Sequence, residues 1–70
     1  MDENVAKELA EGFQLMIDNA LIDDVSVYVS KDIAGNTYVG IKYDSFIVYC
    51  YTAYSVMKEI YYCVNRAKKK

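Results

Sequence analysis

The side chains best suited to catalysis are scarce in this sequence. Histidine is absent, so neither a Ser-His-Asp nor a Cys-His device can be assembled, and the usual proton shuttle near neutral pH is missing. Two cysteines, Cys50 and Cys63, stand 13 positions apart without companion ligands. That spacing fits no zinc site, and two cysteines are too few for a disulfide framework. Both read as small buried hydrophobes. Gly12, Gly35 and Gly40 are scattered and form no phosphate-cradling loop. The pair Asp23-Asp24 precedes a strand pattern and is expected to end a helix rather than hold a metal. The chain therefore reads as non-enzymatic, with no metal and no cofactor.

What remains is chemistry of contact, on three surfaces. On a helical projection at about 100° per residue with Phe13 at zero, Glu8, Glu11, Leu15 and Asp18 fall within roughly 40° of the opposite pole. Acids there are ordinary solvated-face residues, but Leu15 among them makes an apolar anchor, and spaced carboxylates around it suit a basic groove. The second surface gathers four of the eight tyrosines, Tyr28, Tyr38, Tyr49 and Tyr51. They share one side of a sheet if the valines around Tyr28, together with Phe46 and Val48, point inward. Tyrosine buries a large area while keeping a polar tip, which suits an interface. Self-association, binding of a partner, burial beneath a helix and stacking on nucleic-acid bases all fit such a face. A third surface, with Tyr54, Lys58, Tyr61, Tyr62 and Asn65 leading to Lys68-Lys69-Lys70, has basic and aromatic character.

Periodicity supplies the elements that position these groups. Residues 3–21 form an amphipathic helix, with Val5, Ala6, Leu9, Ala10, Phe13, Met16, Ile17, Ala20 and Leu21 inside an arc of roughly 160°. Asp2 or Asn4 can cap it. The period then changes to two. Val25, Val27 and Val29 alternate with polar residues in a strand over 25–30. Thr37, Val39, Ile41 and Tyr43 define a strand over 37–43, and a turn at Asp44-Ser45 leads to a third over 46–51. Thr52 or Ser55 can cap a last helix over 53–67, with an apolar stripe of Ala53, Val56, Ile60, Cys63, Val64 and Ala67. Short connections make the strands antiparallel. The expected fold is a single two-layer α+β domain, α-β-β-β-α, with both helices on one face of a three-stranded sheet.

Seventy residues lie near the lower limit for a domain that folds alone, so self-association as a homodimer is a natural expectation. The start Met1-Asp2-Glu3 is not a signal peptide, and no apolar run is long enough to span a membrane, which points to the cytoplasm. The net charge of −2 conceals a polarised chain. Residues 1–24 carry seven acids against Lys7, a net −6, while residues 58–70 carry five bases against Glu59, a net +4. Acids early in the first helix and bases late in the last also match the helix dipoles. An acidic protein with Lys42 as the one base on its tyrosine face repels phosphates, which argues against direct nucleic-acid binding there.

In size, acidity and αβββα order the chain resembles small phage-encoded inhibitors of the anti-CRISPR type. The resemblance lies in overall design and carries no motif, so no residue role transfers. It implies a stoichiometric inhibitor in the host cytoplasm, occupying the nucleic-acid-binding surface of a CRISPR effector or another such complex. A nucleic-acid-binding or self-associating regulatory module is the alternative.

Overall fold

In the computed structural model, which describes residues 1–68, Asp2 opens the first helix. Its carboxylate accepts the backbone N–H groups of Asn4 (2.9 Å) and Val5 (3.2 Å), satisfying two of the donors that a helix start leaves free. Helix α1, Glu3–Asn19, buries Ala6, Ala10, Phe13 and Ile17, one residue per turn along a single stripe. The alanines let its axis approach the sheet, and Phe13 fills the space that they leave.

Sequence periodicity carries this helix to residue 21, but the structure ends it at Asn19. Leu21 adopts the left-handed conformation, φ 57°. Its N–H donates to the Asp18 carbonyl, and the Ile22 N–H reaches back to the Ile17 carbonyl at 3.1 Å. This is a Schellman ending, in which the residue after the left-handed one tucks against the helix, here buried Ile22 beside buried Ile17. Leu21 itself is 89 % exposed, and Val5 and Ala20, also assigned to the apolar arc, are exposed as well. A side chain in the left-handed region costs about 1–2 kcal/mol. Leu21→Gly is therefore expected to stabilise the chain by about 0.5–1 kcal/mol in urea unfolding, since the lost side chain packs on nothing.

Strands β1 (Ser26–Lys31), β2 (Thr37–Lys42) and β3 (Ile47–Cys50) form an antiparallel sheet in that order. Asp32 organises the first hairpin: its Oδ1 accepts the Asn36 N–H at 2.9 Å, and Gly35 there takes φ 86°. Asp44-Ser45 forms the second turn, closed by the Tyr43 N–H on the Phe46 carbonyl at 2.8 Å. Two cross-strand rows, Val29–Val39–Cys50 and Val27–Ile41–Val48, face the helices. Sequence alternation puts Phe46 among them. Instead it lies outside β3, 52 % exposed, with its ring stacked on that of Tyr43 at 4.7 Å.

Thr52 caps α2, Ala53–Lys68, by accepting the Ser55 N–H at 3.1 Å. The order is therefore α-β-β-β-α, with both helices on one side of the sheet. Coverage is uneven. Helix α1 lies across β1 and β2, while α2 sits at the β3 side and contributes only Val56 and Cys63 to the fully buried core. Of the stripe expected to be buried, Ala53 is exposed, and Ile60, Val64 and Ala67 are half-buried. An ion pair holds the C-terminal part of α2, with Arg66 Nη2 donating to Asp24 Oδ1 at 2.6 Å. Among the described residues no helix is long and apolar enough to cross a membrane.

Candidate functional site

The strand register places the tyrosines. Opposite residues of an antiparallel pair share a face, so Tyr28, Gly40 and Tyr49 form one row on the side away from the helices. Tyr38 stands one position along, opposite Ser30, and Tyr51 follows β3 on the same alternation. Among the described residues no helix covers this side. Tyr38 is the hub, with its ring 6.3 Å from Tyr28, 5.2 Å from Tyr49 and 5.5 Å from Tyr51. The first two contacts are edge-to-face, the arrangement that ring quadrupoles favour.

Gly40 makes this cluster possible. A Cβ there would stand 2.2 Å from Tyr28 Cζ, so the ring lies directly over the central strand where no side chain intervenes. Tyr28 and Tyr38 are consequently half-buried, whereas Tyr49 and Tyr51 are 55 % and 40 % exposed. Burial pushes the Tyr28 phenol upward, with its tyrosine neighbours adding to the effect. Tyr51 donates to Asp32 Oδ2 at 3.0 Å, tying the end of β3 to the first hairpin. That bond raises the Tyr51 phenol. The Asn36 backbone N–H, ahead of Tyr51, holds the Asp32 carboxyl below its ordinary range. The face thus presents four phenolic hydroxyls on a packed aromatic floor.

The carboxylate row is exposed, but it is less uniform than its spacing suggests. Glu8 and Glu11 face solvent, while Asp18 accepts Gln14 Nε2 at 3.0 Å. Gln14 also accepts the Val27 N–H at 3.2 Å, satisfying a donor on the free edge of β1. Leu15 is 62 % exposed, as expected, yet its company is apolar. With Gly12 and Met16 it lines an open groove of about 620 Å³ against Val64 and Ala67 of α2. Sequence reasoning missed this groove, because the stripe on α2 was expected to be consumed by the core.

On α2, Tyr54 and Tyr61 are each 70 % exposed, and Lys58 Nζ lies 5.5 Å from the centre of the Tyr54 ring. Tyr62 differs from them, because it meets the buried Tyr43 ring edge-on at 5.9 Å. Lys69 and Lys70 of the basic tail lie outside the described residues.

The cysteines sit in surroundings that suppress reactivity. Both are buried and free. Burial, with the Glu59 carboxylate nearby, pushes the Cys50 thiol up to about 11. Burial likewise raises Cys63, whose Sγ is 3.6 Å from the Tyr43 hydroxyl. Near pH 7 both are thiols rather than nucleophilic thiolates. Tyr43 donates to Glu59 Oε1 at 2.7 Å, and burial first, then this bond, raises its phenol far above the ordinary value. The group is a satisfied structural network between Tyr43, just past the end of β2, and α2. Among the described residues no three His, Cys, Asp or Glu side chains converge to hold a metal. Comparison with protein-family models, with curated proteins and with solved structures gives no match to this chain.

Proposed function

We propose that this chain is a non-enzymatic cytoplasmic binding protein that acts by occupying a surface of another protein, through the outer tyrosine face of its sheet. The observation that carries the reading is the Tyr28–Tyr38–Tyr49–Tyr51 cluster, which is uncovered and already packed. Aromatic side chains fixed before binding lose little rotamer freedom on contact, and they dominate interface energetics. The polar rim of Ser26, Ser30 and Lys42 around them has the anatomy of an interface. Bases of a nucleic acid stack on such platforms too, but the acidic chain offers one Lys on this face to attract phosphates.

Stoichiometric inhibition in the anti-CRISPR manner is the narrower form of this reading, and it draws on a separate feature. Glu8, Glu11 and Asp18 form an exposed row of carboxylates on α1 that matches a basic, nucleic-acid-binding groove.

Capture from lysate of the producing organism or its host tests both forms. The tagged chain is expected to retain one protein in near-stoichiometric amount. Tyr49→Ala should weaken that capture by roughly 30-fold or more, because a central aromatic anchor is worth about 2 kcal/mol or more. Charge reversal at Glu8, Glu11 and Asp18 should abolish it if the partner's groove is basic, with thermal stability nearly unchanged. Equal capture by the tyrosine variant would falsify the face as the contact surface.

A further inference from the structure

The helical layer presents more apolar surface than one chain covers. Leu15, Met57, Tyr54 and Tyr61 are between 61 % and 70 % exposed, and Leu15, Met57 and Tyr61 line adjoining hollows. Val64 lines both the groove against Gly12 and Leu15 and a second apolar hollow with Met57, Ile60 and Tyr61. The groove therefore adjoins the exposed side chains of Met57 and Tyr61, which rim the second hollow. The groove also has an opening above Gly12, where an added Cβ would meet nothing within 4 Å.

We infer that this surface joins two copies of the chain, with α2 of each lying in the α1–α2 groove of the other about a two-fold axis. A two-fold contact requires a surface complementary to itself. Here the exposed side chains of Met57 and Tyr61 are what would enter the groove at Gly12, Leu15 and Val64, and both features belong to every copy. Charge favours the same occupant. A helix entering the groove lies beside α1, where Glu3, Glu8, Glu11 and Asp18 against Lys7 give net −3, and α2, where Lys58, Arg66 and Lys68 against Glu59 give net +2, is of the opposite sign. Among the described residues Glu8, Glu11 and Lys58 make no ion pair within the chain, so these charges are available across the contact. The exposed parts of the two tyrosines, Leu15, Met57 and their half-buried neighbours amount to on the order of 600 Å² per copy, which reaches the lower end of what specific interfaces bury. The inference is independent of the tyrosine face, which lies on the opposite side of the sheet.

Sedimentation equilibrium of the full chain, from low micromolar to about 0.5 mM, reads the outcome directly. The expected result is a dimer with a dissociation constant in the micromolar range. Leu15→Glu and Tyr61→Glu should each weaken it by roughly 30-fold or more, since each places a charge in the buried centre. Both sites are exposed in the single chain, so circular dichroism of each variant should match the parent. Tyr49→Ala should leave the dimer intact. A parent chain that stays monomeric throughout the range overturns the inference. So does a dimer that withstands both helix substitutions, or one that Tyr49→Ala dissolves.

Discussion

Phe13→Ala is expected to destabilise the chain by about 3–5 kcal/mol, enough to leave much of it unfolded at 37 °C. Phe13 is 1 % exposed and sits among Ala6, Ala10 and Ile17 on the one helix that spans β1 and β2. Ala6 and Ala10 beside it are too small to fill the void, so the cavity term adds to the lost transfer energy. A chain of this length has a total stability of roughly 3.5–10 kcal/mol, so the loss is a large share of what exists. Urea unfolding followed by far-ultraviolet circular dichroism gives the number, with Leu15→Ala as the internal comparison. Leu15 lies on the same helix, two residues on and 62 % exposed in the single chain, and its truncation should cost less than about 0.5 kcal/mol at concentrations where the chain is monomeric. A loss below about 1 kcal/mol at Phe13 would mean that the helix does not seat on the sheet through this residue.

The contrast between these two positions also marks how far the sequence alone could be read. Period two is unforgiving, because a strand cannot put neighbouring side chains on one face. The alternation therefore suffices to put Tyr28, Tyr38, Tyr49 and Tyr51 on one face. Helical period is more permissive. Leu21 continues the apolar arc of α1 in projection, yet the chain has already turned left-handed to tuck in Ile22. Phe46 fits the alternation of β3, but the turn at Asp44-Ser45 leaves it outside the strand, where stacking on Tyr43 holds it. Helix α2 departs furthest from its sequence pattern. Its apolar stripe looks like core in sequence, and how much of it a three-stranded sheet can cover depends on where α1 already lies. Gln14 shows the opposite limit, because a polar residue at a helix flank gives no hint that it will bond an edge-strand N–H.

Gly40 links that legible face to energetics, and its substitution should reveal a change of sign. Gly40→Ala places a methyl group 2.2 Å from Tyr28 Cζ and 2.6 Å from both Cε atoms, where no real contact is that short. The ring must lift off the central strand, losing its cover over β2 and its edge contact with Tyr38. Overpacking of this kind costs roughly 1–3 kcal/mol. Alanine is otherwise no worse than glycine in a strand, since glycine loses more backbone entropy on folding. Once Tyr28→Ala has removed the obstruction, Gly40→Ala should be neutral or stabilising by up to about 1 kcal/mol. The two substitutions are thus expected to couple by roughly 1–3 kcal/mol in a double-mutant cycle read by urea unfolding. Strict additivity would place the Tyr28 ring elsewhere. Binding should follow the same geometry: Gly40→Ala should weaken partner capture as Tyr49→Ala does, although residue 40 itself is buried. The contact surface is the arrangement of the rings, and a single hydrogen at Gly40 is what lets Tyr28 hold its place in it.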